Sequence, residues 1–92
     1  MTISVEYFGQ LLHITGVRSE SVEVADGADV KTLIVQLAEC YGERFRDFVF
    51  GEDGELRKSI PIVVNDRQIT YGESVSFKDG ARVMILSPIA GG

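Results

Sequence analysis

The sequence predicts an α+β fold, a mixed sheet of about five strands packed on one main helix. Three observations lead there: apolar residues alternate with polar ones near the start, fall at helical spacing in the middle, and run almost continuously near the end. At 92 residues the chain is a single domain, sized to bury roughly 60 to 70% of its unfolded surface in one modest core.

Ile3, Val5 and Tyr7 alternate with Ser4 and Glu6, the period of a strand buried on one face. "ESVEV" repeats it with Val22 and Val24, so the two strands pair as an antiparallel hairpin. The connection "GQLLHITG" reads as a long loop containing Gly9 and Gly16. In "DVKTLIVQLAECYG" the period changes: Val30, Leu33, Ile34, Leu37, Ala38 and Tyr41 fall on one helical face, with Asp29 as N-cap and Gly42 as a left-handed C-cap. "ERFRDFVFGEDGELRKS" reads as a short helical turn and a loop over Phe45, Phe48 and Phe50.

"IPIVV" follows as a strand, turned by Asn65-Asp66 into "RQIT", and Pro61 argues for an edge position or a bulge. "SVSF", the turn "KDG" and "ARVMIL" give a final hairpin-like return. The last strand is apolar on both sides, with Val83 and Ile85 facing one way and Met84 and Leu86 the other. One helix covers one side only, which leaves Met84 and Leu86 as a protein-docking patch beside the tail. With the first and last strands adjacent in the centre, this is the β-grasp arrangement. Residues 1–86 form that domain, and residues 87–92 a flexible C-terminal tail.

Composition removes several function classes. Nine Lys plus Arg against fourteen Asp plus Glu leave a net charge of -5, which opposes phosphate neutralisation and so nucleic-acid binding. The start "MTISVEYF" lacks signal-peptide character and no apolar run reaches membrane-spanning length, so a cytoplasmic protein without membrane attachment is expected. A single cysteine allows neither an internal disulfide nor a cysteine cluster for metal.

Conventional active-site groups are sparse. His13, the one histidine, lies in a loop-like stretch with no nucleophile motif beside it. Cys40 stands near a helix C-terminus, where the dipole disfavours a thiolate, and is expected to be a packed or flanking structural residue. Glu52, Asp53 and Glu55 sit between glycines and read as a solvated loop. No glycine-rich phosphate loop occurs, and no bound cofactor is expected.

The ending "SPIAGG" remains. Gly91 and Gly92 lack side chains, so the peptide can enter a narrow channel and expose a carboxylate to a catalyst. A carboxylate is inert until activated, for instance as an acyl-adenylate made by an ATP-using partner. Six residues from Ser87 to Gly92 span at most about 20 Å, with Pro88 stiffening the base and Ala90 keeping the arm slim. Taken alone, Gly-Gly fits a frayed end equally well.

"Y-F-G-Q-L", the following "T-G", the helix "VKTLIVQL", "IPIVVND" and "FKDGARVMILSPIAGG" together resemble the MoaD/ThiS family of ubiquitin-like sulfur carriers, nearest to the small subunits of molybdopterin synthase. The resemblance covers essentially the whole chain. It implies that Gly92 is adenylated by an E1-like enzyme (MoeB/ThiF type) using ATP, then converted to a thiocarboxylate. The tail would enter a large synthase subunit (MoaE type) and donate sulfur to cyclic pyranopterin monophosphate, building the dithiolene that holds molybdenum or tungsten. By the same resemblance Gly92 is the reacting residue, Gly91 shares the reactive tail, Ser87, Pro88, Ile89 and Ala90 belong to its threaded stem, and Met84 with Leu86 dock the partner. The chain itself would be no enzyme but the sulfur-donating subunit of a complex. Many synthase subunits carry Pro-Pro before Val-Ala-Gly-Gly where this chain has Ser87-Pro88-Ile89. Carriers for thiamin, cysteine or other metabolites, lysine-conjugated modifiers and a passive interaction domain stay open beside the leading reading.

Overall fold

The computed structural model describes residues 1–69 and 75–87. Along the chain run β1 (Thr2–Tyr7), α1 (Gln10–Thr15), β2 (Ser19–Glu23), α2 (Val30–Tyr41), α3 (Glu43–Val49), β3 (Ile62–Val64), β4 (Arg67–Gln68) and β5 (Arg82–Ile85). The five strands form one sheet in the order β2-β1-β5-β3-β4. Its centre is the parallel pair β1 and β5, with Val5 opposite Val83 and Tyr7 opposite Ile85. Every other pairing is antiparallel. The expected mixed sheet with first and last strands side by side is therefore present, as the β-grasp fold requires.

Strand alternation decides where the core lies. Ile3, Val5, Tyr7, Val83 and Ile85 are fully buried and meet Leu33, Ile34 and Leu37 from α2, Phe45 and Val49 from α3, and Leu11 from α1. Tyr7 anchors one end, edge-on to Tyr41 and Phe45 at ring separations of 6.1 and 6.4 Å. Its hydroxyl donates to Glu20 at 2.5 Å, and Tyr41 donates to the same carboxylate. Burial, reinforced by that carboxylate, raises the Tyr7 pKa far above the phenol range and pushes Tyr41 up to about 12. Both rings thus stay neutral in the fold at a pH where the unfolded chain has lost their protons. Their contribution is complete below pH ~10 and is lost as pH rises through the folded values. For Tyr7 alone, stability should fall by roughly 1.4 kcal/mol per pH unit above pH ~10. Urea midpoints at two alkaline pH values would measure this, and Tyr7→Phe should flatten the slope.

Helix α2 matches its expected bounds because Asp29 caps it. The backbone of Asp29 is extended, and its Oδ1 accepts the Thr32 amide at 2.9 Å and the Thr32 hydroxyl at 2.8 Å. These two bonds hold the carboxyl below its ordinary pKa. The stabilisation is present above the usual carboxylate range and is lost as pH falls through the depressed value. Asp29→Ala should cost about 1 kcal/mol, lowering Tm by roughly 4–8 °C in a thermal melt at pH 7. Against the wild type, that loss should shrink on acidification.

Four local expectations are corrected. The segment after Gly9 is helix α1, and His13 lies exposed on it. Gly42 is not a left-handed cap: at φ 91° and ψ -163° it ends α2, its amide on the Ala38 carbonyl at 2.8 Å, and starts α3 without an intervening loop. That backbone conformation is essentially restricted to glycine. Strand β3 is interior, between β5 and β4. Pro61 precedes it, accepting the Leu86 amide at 3.0 Å but unable to return a bond, so the ladder ends there. Finally, residues 75–77 do not fold back on β5. Val75 and Phe77 bond instead to Val30 and Ala28, and Ser76 bridges Asp29.

The turn between β3 and β4 is as expected. Asn65 and Asp66 take positive φ of 49° and 71°, the requirement of a tight primed hairpin turn. Phe45 and Phe50 are buried under α3 and its exit, with Phe48 packed partly against them. Glu52, Asp53 and Glu55 are exposed, Glu55 pairing with Lys31 at 3.1 Å. Cys40 is exposed as well, not packed, because it falls outside the apolar stripe of α2. Among the described residues, no helix is long and apolar enough to cross a membrane.

Candidate functional site: the outer sheet face and the tail anchor

The helices pack on the face that carries Val83 and Ile85. Among the described residues no layer covers the opposite face of the sheet, and Ser4, Glu6, Val63 and Met84 there are only partly buried. Register decides which of these residues are neighbours. Met84 lies between Glu6 on β1 and Val63 on β3. One step along, the Phe8 amide donates to the Ile85 carbonyl at 3.1 Å, which continues the ladder and sets Phe8 beside Leu86. Pro61 stands on the other side of Leu86 through the bond already described.

Two adjacent rows result, Glu6-Met84-Val63 and Phe8-Leu86-Pro61. Their apolar members lie toward the end of β5 from which the tail departs. The other end of the face is polar: Ser4 is opposite Arg82, and Arg82 pairs with Glu6 at 3.3 Å. The patch therefore has a charged rim on one side and the tail on the other, an arrangement suited to protein docking. Met84 and Leu86 occupy the expected side of the strand, yet both are partly buried and not bare, because their cross-strand neighbours flank them.

Sequence reasoning missed Phe8, Pro61 and Val63 as members of this patch. Phe8 was within reach, since it continues the phase of Ser4 and Glu6. Pro61 and Val63 were not, because their place depends on the pairing register of strands about twenty residues apart.

Ser87 is tied to the body of the domain. Its Oγ donates to the Phe8 carbonyl at 2.6 Å and accepts the Leu11 amide at 3.2 Å. The expected tail positions Pro88, Ile89, Ala90, Gly91 and Gly92 lie outside the described residues.

Comparison with known proteins bears on this face and tail. Residues 5–92 match the ThiS family. The chain belongs to that family. This family member is 25% identical, over the full length of both chains, to the molybdopterin synthase sulfur carrier subunit of Chlamydomonas reinhardtii. Among solved structures it resembles the small archaeal modifier protein SAMP1 of Haloferax volcanii, with a TM-score of 0.84 at 26% identity over all of both chains. It also resembles a chain in the complex of subunits 1 and 2 of the molybdopterin-converting factor from Helicobacter pylori, with a TM-score of 0.61 at 25% identity, again over all of both chains. The chain is thus a ubiquitin-like β-grasp protein of the sulfur-carrier and modifier type.

Proposed function

We propose that this ThiS-family chain is a sulfur carrier, and that its role is that of the small subunit of a molybdopterin synthase. One juxtaposition carries the reading: the apolar row Phe8-Leu86-Pro61 runs directly to Ser87, from which the segment bearing Gly91 and Gly92 continues. Docking of the face would deliver the tail to a partner's reaction centre in the same event. The likeness to the Chlamydomonas carrier and to a chain of the Helicobacter complex supports this choice of pathway. With a net charge of -5, the chain favours a partner whose docking surface is basic around an apolar centre.

In this reading a Gly92 carboxylate oxygen attacks the α-phosphorus of ATP on an E1-like adenylating enzyme, and pyrophosphate leaves. A hydrosulfide equivalent then attacks the acyl carbon, AMP departs, and a thiocarboxylate remains. Its sulfur attacks a carbon of the acceptor, cyclic pyranopterin monophosphate, in a large synthase subunit, and an oxygen substituent leaves that carbon with the bonding pair. Hydrolysis of the resulting acyl-sulfur bond returns the carboxylate and leaves sulfur on the product as a thiolate. ATP is consumed on the activating partner and the chain binds no cofactor. The whole cycle is placed in the cytoplasm.

The test is the intact mass of native-ended protein incubated with an E1-like adenylating enzyme, ATP and sulfide. A gain equal to one oxygen replaced by sulfur supports the carrier reading, and transfer from that product to cyclic pyranopterin monophosphate by a large synthase subunit supports the pathway. No gain with a demonstrably active enzyme refutes both. The likeness to SAMP1 favours one second reading, a modifier joined to lysines through Gly92. That reading requires higher-mass conjugates in cells, detectable by antibody against the chain.

A further inference from the structure

Helix α1 begins without a cap of its own. Gly9 holds the N-cap position at φ 65° and ψ -135° and has no side chain to accept an amide of the first turn. The acceptor comes from 76 residues away, where the Ser87 hydroxyl takes the Leu11 amide at 3.2 Å. The same hydroxyl donates to the carbonyl of Phe8 at 2.6 Å, so it is held from both sides of the β1-α1 junction. Contact between the two backbones is equally close. A Cβ on Gly9 would stand 2.3 Å from the Ser87 carbonyl oxygen and 2.7 Å from its Oγ. Glycine alone permits that approach, which explains why a glycine follows Tyr7-Phe8 in this chain.

One residue earlier, the Leu86 amide is bonded to Pro61 at 3.0 Å. The chain is therefore fixed at Leu86 on Pro61, just ahead of β3, and at Ser87 on the start of α1, which sets its position and heading up to Ser87.

We propose that Ser87 is a positioning residue, the fixed origin from which the five residues Pro88 to Gly92 are aimed into the partner's activating site. This rests on the reading of Gly92 as the reacting group. From a fixed origin five residues reach at most about 17 Å, so the partner's reaction centre must lie within that radius of Ser87 when the outer face is docked. Loss of the hydroxyl frees the junction, and the arm then starts from a spread of positions and headings. Misplacement of reacting atoms by about 1 Å can cost about 10²-fold in rate, so the penalty falls on turnover. Docking through Met84 and Leu86 does not use the hydroxyl, so affinity is spared.

The experiment compares wild type, Ser87→Ala and Ser87→Thr as full-length, native-ended chains with an E1-like adenylating enzyme. ATP-pyrophosphate exchange gives kcat, titration calorimetry gives Kd, and amide hydrogen exchange reports Leu11. In Ser87→Ala the Leu11 amide should exchange faster and kcat should fall about tenfold, with Kd held within about twofold. Ser87→Thr, which keeps the hydroxyl, should recover most of the loss. Faster Leu11 exchange at wild-type kcat would reduce Ser87 to a helix cap and overturn the proposal. Unchanged Leu11 exchange in Ser87→Ala would overturn it too, by removing the clamp. Absence of exchange with the wild-type chain would instead refute the reading of Gly92, and the proposal with it.

Discussion

Deletion of Gly92 should lower thiocarboxylate formation by at least about 10²-fold and leave the melting curve unchanged. The deleted chain still carries a carboxylate, now on Gly91, so its intrinsic reactivity is retained. What changes is reach: the reacting carbon lies up to about 3.5 Å short of the place where the nucleotide is attacked. An enzyme that gains its rate by holding two reactants in register loses that gain over far smaller displacements. The measurement is a time course of intact mass with adenylating enzyme, ATP and sulfide. A one-alanine extension displaces the carboxylate by a similar distance and should fail similarly. If either altered chain reacts at the wild-type rate, the reach of the terminus does not govern the reaction.

The second large effect is expected at the docking face. Met84→Lys should weaken binding to the large synthase subunit by about 10²-fold or more, because an ammonium set into the apolar patch must be desolvated on docking, and Glu6 beside it is already paired with Arg82. The fold should tolerate the change. Met84 is partly buried on the outer face, a lysine stem can follow the path of the methionine while its ammonium turns to water, and Glu6 lies opposite on β1. Val35, 38% exposed on α2, supplies the control, since Val35→Lys adds the same charge on an element packed against the other face of the sheet. Calorimetric titration of both variants checks the contrast. Equal weakening would show that charge, not the patch, governs binding, and unchanged affinity for Met84→Lys would remove the outer face from the interface.

The elements that sequence alone located share one property: their signals are local. Strand β1 alternates within six residues, α2 carries a stripe bounded by Asp29 and Gly42, and Asn65-Asp66 writes its turn into two residues. Helices α1 and α3, at six and seven residues, have no such independence. Segments that short are marginal by themselves in water, and neither begins on a residue whose side chain caps it. Packing of Leu11, Phe45 and Val49 into the core makes them helical, and for α1 the missing cap is the hydroxyl of Ser87.

The candidate site divides along the same line. Alternation along β5 is a property of consecutive residues, so the side on which Met84 and Leu86 lie was fixed by sequence. Gly91 and Gly92 are chemically legible because the lack of side chains is itself the signal. The company that Met84 and Leu86 keep was decided only when β1, β5 and β3 paired in register and brought Phe8, Val63 and Pro61 together. So was the bond that closes 76 residues of chain between Leu11 and Ser87. Periodicity reports on neighbours along the chain, whereas an interface and an anchor are made of neighbours in space, and those exist only once the core has chosen the register.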